Sequence, residues 1–181
     1  MPARRLVAFA CLAVLALGAS ACGDEEPGVD EPAREGLALE LDGVDYNVFI
    51  TRQLNPAIPP DDAYVEAPEP EPSDTLYGIF LQTCNTSDEP QGTAEEFMIV
   101  DAQGNEFEPD ELPLNNRFAY HPRELLPQEC IPEAGSVAQL GPTAGSMLLF
   151  TLPLENTEYR PLELEINGGG DEGGLTFELD I

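Results

Sequence analysis

Leu162-Glu163-Leu164-Glu165-Ile166, a polar glycine-rich break, then Leu175-Thr176-Phe177-Glu178-Leu179-Asp180-Ile181: this stretch decides the fold. In both arms apolar and polar residues alternate with a period of two. That is the pattern of a strand with one face on a core and the other in water. The break between them, residues 167–174, is rich in glycine and suits a hairpin loop. Two half-buried strands joined in this way must lay their apolar face on a second layer, which points to an antiparallel sheet packed on another element.

Working outward, the same period recurs. Leu37, Leu39 and Leu41 alternate with Ala38 and Glu40, and Asp42-Gly43 offers a tight turn. Val44, Tyr46, Val48 and Ile50 alternate with Asp45, Asn47, Phe49 and Thr51. A long strand is expected over residues 75–84, ended by the polar group Asn85-Thr86-Ser87-Asp88-Glu89-Pro90. Phe97-Met98-Ile99-Val100 turns back through Asp101-Ala102-Gln103-Gly104-Asn105 into Glu106-Phe107-Glu108. Residues 137–140 and 147–152 read as short strands. Residues 53–74, broken by six prolines, and residues 110–132 read as long loops. Eight or nine short strands without a convincing helix make an all-β antiparallel sandwich the expected architecture.

The N-terminus reads differently. Arg4 and Arg5 precede an apolar run over residues 6–17, and Gly18-Ala19-Ser20-Ala21 closes on Cys22. This is the order of a lipoprotein signal peptide over residues 1–21, with Cys22 as the lipidated new N-terminus. Ala19-Ser20-Ala21 also satisfies an ordinary secretory cleavage site, and the lipobox leucine is replaced by Ala19. The apolar run is shorter than the ~20 residues of a membrane-spanning helix. Arg4-Arg5 also opens a twin-arginine signal, which Leu6-Val7 does not extend. Residues 22–36 carry one branched apolar residue, Val29, among acids, glycines and prolines. They are expected to be a disordered acidic tether. The folded domain is expected over residues 37–181.

Charge narrows the partners. The chain has 35 Asp+Glu against 7 Lys+Arg, and every basic residue is arginine. Loss of the leader removes two of them and leaves a formal charge of about −30. Nucleic-acid binding requires a basic footprint that this chain lacks.

Three groups of residues carry a resemblance. The strand over residues 75–84 with its polar 85–90 segment forms the first. Phe97-Met98-Ile99-Val100 followed by Asp101-Ala102-Gln103-Gly104-Asn105-Glu106-Phe107-Glu108-Pro109 forms the second. Leu126-Pro127-Gln128-Glu129-Cys130 with Leu148-Leu149-Phe150-Thr151-Leu152-Pro153 forms the third. In this order they resemble the telokin-like, immunoglobulin-like domain of uncharacterised lipoproteins of Gram-positive bacteria, actinobacteria included, over residues 37–166. The resemblance implies an extracytoplasmic immunoglobulin-like β-sandwich with no established activity. The family turn usually carries Pro-Gly where this chain has Pro127-Gln128.

Of the four cysteines, Cys11 leaves with the leader and Cys22 is the lipidation candidate. Cys84 and Cys130 remain, and an oxidising compartment favours joining them. Two buried thiols are the alternative. His121 is the sole histidine, which removes multi-histidine metal sites and the common triads. Gly168, Gly170 and Gly173 match a dinucleotide fingerprint by letters, but a strand pattern follows where that motif requires a helix. Adjacent acids such as Asp61-Asp62 and Glu95-Glu96 point to opposite faces on a strand and seldom chelate. Asp171-Glu172, in the glycine loop, is the best calcium candidate.

The functional expectation is a non-enzymatic binding or interaction module. It needs no cofactor, is lipid-anchored to the outer face of the cytoplasmic membrane and meets a cell-envelope protein. A divalent-cation or small-ligand binder is the alternative, with a carboxylate-dependent hydrolase behind it. Tyr64, Phe118 and Tyr120, aromatics in the long loops, are the partner-contact candidates. They would serve equally to cover the sandwich ends.

Overall fold

The computed structural model describes residues 26–65, 70–168 and 173–181. Twelve strands follow in chain order: β1 (Ala33–Arg34), β2 (Ala38–Leu41), β3 (Val44–Leu54), β4 (Asp74–Asn85), β5 (Gln91–Gly92), β6 (Glu96–Asp101), β7 (Glu106–Phe107), β8 (Glu124–Leu125), β9 (Cys130–Ile131), β10 (Ser146–Pro153), β11 (Leu162–Asn167) and β12 (Gly174–Glu178). One sheet has the order β1-β12-β11-β6-β7. The other has the order β10-β4-β3-β2, with β9 continuing the β10 edge along β4. A separate two-strand ladder joins β5 to β8. All pairs are antiparallel except β1 on β12. The chain is a two-layer antiparallel β-sandwich.

The β11–β12 hairpin behaves as its pattern requires. Leu162, Leu164, Ile166, Leu175 and Phe177 are buried, and Glu163, Glu165, Thr176 and Glu178 face outward. Their apolar rows meet Val44, Tyr46 and Val48 of β3, Ile79 and Leu81 of β4, and Phe150 and Leu152 of β10 in the main core. Asp42 and Gly43, both at positive φ, make the β2–β3 turn.

A second, smaller core lies on the opposite face of the β10-β4-β3 sheet. Leu54, Tyr64, Val65, Leu76, Phe80, Met147 and Leu149 form it, with Leu112 and Phe118 packed against it. The two long loops supply its cover. β4 is therefore buried on both faces along most of its length.

The structure departs from expectation at three places. In β3 the register shifts between Val48 and Ile50. This bulge leaves Phe49 and Ile50 both exposed and turns Thr51 inward. Residues 137–140 form one helical turn, α1 (Val137–Leu140), instead of a strand. The Ser136 side chain accepts from the Gln139 N–H, and the Gln139 side chain accepts from the Gly135 N–H, a reciprocal cap.

Third, the N-terminal segment was expected to be free from residue 22 to residue 36. Over residues 26–36 it lies on the sandwich instead. The Gly28 carbonyl accepts from the Thr176 N–H, β1 pairs with β12, and Ala33 is buried. The open edge of β12 offers unpaired backbone groups, so a segment poor in apolar residues is held by hydrogen bonds. Glu35 adds carboxylate bonds to the Thr51 and Asp180 N–H groups. The ordered unit therefore begins before residue 37. Cys22 and the leader lie outside the described residues.

Cys84 and Cys130, the pair expected to be joined, form a disulfide between neighbouring strands β4 and β9 within one sheet. Antibody domains staple one sheet to the other. Gln128, which stands where the resembled family has glycine, has a φ of 66°, in the left-handed region that favours glycine.

Candidate functional site

At the end of the sandwich where β3 begins and β11 ends, the two sheets part around a cleft of about 510 Å³. It is lined by Leu41 and Asp42 of the β2–β3 turn, Tyr46, the segment from Gln91 to Glu96, and Asn167-Gly168. That volume lies within the usual range of ligand sites, roughly 300–1,000 Å³.

The inner wall is built around Ala94. Its N–H donates to the Tyr46 hydroxyl at 2.6 Å, and its carbonyl accepts from the Tyr120 hydroxyl at 3.1 Å. Two tyrosines from different parts of the chain thus clasp one small residue. The next residue back, Thr93, exchanges backbone and side-chain bonds with Arg123. The β5–β8 ladder continues this stitching. These hydrogen bonds fix the wall.

Burial pushes the Tyr46 phenol above its ordinary value. The Ala94 N–H works against this rise, and the Asp42 charge adds to it. Burial also drives the Tyr120 phenol upward. Both therefore stay protonated at neutral pH. Tyr46, Thr93 and Ala94 are buried, whereas Glu95 and Glu96 are exposed at the mouth. Among the described residues, three carboxylates line the cleft and no arginine does. Arg34, Arg52 and Arg123 are paired with acids elsewhere: Glu178, Asp61 and Glu129 respectively.

The aromatics singled out in the sequence are not on a free surface. Tyr64 is fully buried in the second core, edge-on to Phe80 and Phe118, with ring centroids 5.2 and 4.8 Å away. Its hydroxyl accepts from the Thr143 N–H, and Arg52 lies over its ring. Arg52 is tied to Asp61 and to the Thr143 hydroxyl. Phe118 is partly buried in the same core. Tyr120 is buried in the main core, edge-on to Phe97. Large apolar rings gain more by closing the outer face of an otherwise wet sheet than by standing in water, so the loops fold inward around them. The candidates thus became packing residues, and only Tyr120 touches the cleft wall.

Asp171 and Glu172 lie outside the described residues. Among the described residues, no cluster of three or more His, Cys, Asp or Glu is arranged to hold a metal ion. Asp101, in the turn after β6, accepts from the N–H groups of Gln103 and Asn105 and from the amides of Asn105 and Asn156. Burial opposes its charge, but these bonds outweigh burial and bring its pKa to about 2. Its role is to hold the turn. A strand, β12, follows the glycine fingerprint where a dinucleotide motif requires a helix.

None of Asp42, Tyr46 or Glu95-Glu96 was legible as a site. Tyr46 read as a core residue and Asp42 as a turn. The adjacent acids 95 and 96 were visible but lay far in sequence from the other wall.

The fold is that of a β-sandwich, with an open, acid-mouthed cleft at one end. No family model matches the chain, and no curated protein matches it. Among solved structures it is similar to the yjhA protein of Bacillus subtilis, with a TM-score of 0.53 and 10% identity over 81% of this chain and 99% of that one. It is also similar to an uncharacterised β-sandwich protein of Clostridium difficile 630, with a TM-score of 0.46, 13% identity, and 86% and 100% coverage. A third likeness is to ycdA of Bacillus subtilis, named as a candidate lipoprotein, with a TM-score of 0.48, 11% identity, and 81% and 38% coverage. At such identities the likeness to yjhA speaks to the fold alone.

Proposed function

We propose that this chain is a cell-envelope lipoprotein, anchored through lipidated Cys22 at the outer face of the membrane. Its sandwich acts as a non-enzymatic binding module, and the cleft between the β2–β3 turn and the 91–96 segment is the binding site. The observation that carries this reading is the cleft itself. It is of ligand size, its wall is fixed, and its lining of Asp, Glu, Tyr, Gln, Asn and Thr holds polar groups but, among the described residues, includes no histidine, cysteine or serine. The lipobox order of residues 18–22 supports the location.

The experiment is site-specific photo-crosslinking on cells. A photoreactive side chain at Gln91, in the cleft, should capture a partner or ligand that the same group at Gly104, in the β6–β7 turn, does not. Equal capture at both positions refutes the site. Mass analysis of the mature N-terminus tests the anchor, and an unmodified cysteine refutes it.

A further inference from the structure

We infer that the side of the sandwich crossed by the N-terminal segment rests on the bilayer, with Val29, Leu37, Phe49 and Ile50 entering the headgroup layer. The inference rests on the lipoprotein reading of Cys22 and adds to it the face of the domain that meets the lipid.

The segment over residues 26–37 is tied to both sheets. On one, the Thr176 N–H donates to the Gly28 carbonyl and β1 pairs with β12. On the other, the Gly36 N–H donates to the Val48 carbonyl, and the Glu35 carboxylate accepts from the Thr51 N–H. Leu37 is thereby set beside β3 where its register shifts. Unbroken alternation would send one of Phe49 and Ile50 inward, and the bulge leaves both in water. Leu37 is exposed beside them, and Val29 is exposed in a turn of the same segment. Scattered apolar residues on a surface are ordinary, whereas a group held on paired backbone marks a contact face.

The charged groups next to this face are engaged. Glu35 accepts from the Thr51 and Asp180 N–H groups, and Arg34 pairs with Glu178 and Asp180. Asp30, Glu31 and Glu40 stay exposed. They limit the contact to headgroup depth, because a carboxylate enters hydrocarbon only at high cost.

The occupant follows from where the chain leads. Cys22 precedes Glu26 by four residues, a reach of about 14 Å at full extension. The segment that carries the attachment point therefore carries Val29 and Leu37 as well. An anchored domain on so short a tether meets the headgroup layer at high effective concentration, so a weak apolar contact is enough to orient it. The lipid chain anchors, and the apolar face sets which side of the sandwich lies down.

The test uses the full-length lipidated protein in phosphatidylcholine vesicles, with and without brominated acyl chains. The chain contains no tryptophan, so each introduced indole is a single reporter. Phe49→Trp should shift to the blue on reconstitution and lose much of its emission to the brominated chains. Val29→Trp should do the same, and it decides the matter if thermal melts show that the Phe49 variant fails to fold. Leu114→Trp, in the loop that pairs along the opposite, β10 edge, should keep its emission.

No quenching at residues 29 and 49, or equal quenching at 114, overturns the inference. Emission at 49 that shifts with protein concentration in detergent and is not quenched in vesicles gives the face to a second copy, and overturns it too. Mass analysis of the same sample separates the two readings. A lipidated Cys22 without quenching removes the contact face alone, whereas an unmodified Cys22 removes the anchor and the contact face with it.

Discussion

The two sheets of this sandwich solve the same problem in different ways. The β1-β12-β11-β6-β7 sheet buries one face and leaves the other in water, lined with Glu163, Glu165 and Glu178. The β10-β4-β3-β2 sheet buries its inner face against the first sheet and much of its outer face under its own loops. The first is built from alternation. The second is built from near-continuous apolar strands and from loops that act as a third layer. A long loop in such a domain is therefore not spare chain; here it supplies half of a core.

The largest expected effect separates the two faces of the capped sheet. Phe150→Ala empties the main core and should cost about 3–5 kcal/mol in denaturant unfolding. Phe118→Ala, at the margin of the outer core, should cost about 1–2 kcal/mol. Equal losses would show that the loop layer is as integral as the second sheet.

The disulfide comes next. Cys84 and Cys130 close a loop of 46 residues on the capped sheet. Replacing both with alanine should cost about 2–4 kcal/mol. Intact mass after thiol alkylation, with and without reductant, checks the bond itself. Free thiols in the unreduced protein would remove it from the account.

Tyr64→Phe probes how the loop layer is clamped. The ring stays and only the hydroxyl that accepts from Thr143 is lost. About 1 kcal/mol is expected. Hydrogen exchange at the Thr143 amide should quicken, while the β11 and β12 amides should keep their protection.

The remaining effects belong to the wet sheet, and they run in opposite directions with pH. The pKa of Asp101 is lowered to about 2 from 3.8. Its contribution to stability is full above pH 3.8 and is lost as pH falls to about 2. Asp101→Asn should therefore destabilise at neutral pH and flatten the acid limb of a melting profile. Glu163 is raised by burial and by the neighbouring charges of Glu178, directly opposite it on β12, and Glu165. A raised carboxylate opposes folding above its folded pKa, and the penalty is gone below its unshifted value of 4.5. Glu163→Gln should gain slightly at pH 7 and gain nothing at pH 3, as read by thermal melts.

The same contrast explains what could be read in advance. Residues 162–181 announced their hairpin because one face is wet and polarity marks it. The turn at Asp42-Gly43 and the strands at residues 75–84 and 97–100 were equally plain. The β3 bulge was not, because Phe49 and Ile50 are apolar and exposed, against the period. Residues 137–140 read as a strand from their apolar letters, although Ser136 and Gln139 already carried the cap of a helical turn. The N-terminal strand β1 was hidden because it is held by the edge of β12, a tertiary feature with no local signature. Tyr64, Phe118 and Tyr120 were correctly noticed as loop aromatics. Their burial depended on which face of which sheet the loops would cover. The cleft joins residues 41–46, 91–96 and 167–168, whose proximity only the topology creates.

The docked N-terminal segment has a consequence for geometry at the membrane. Gly28 sits against β12 at Thr176, near the end of the sandwich that carries the cleft. Cys22 precedes Glu26 by four residues. A fully extended chain of that length reaches about 14 Å. On the lipoprotein reading, the domain is not a float on a slack line. On that reading it is moored by no more than about 14 Å of chain, which keeps the docked N-terminal segment close to the bilayer.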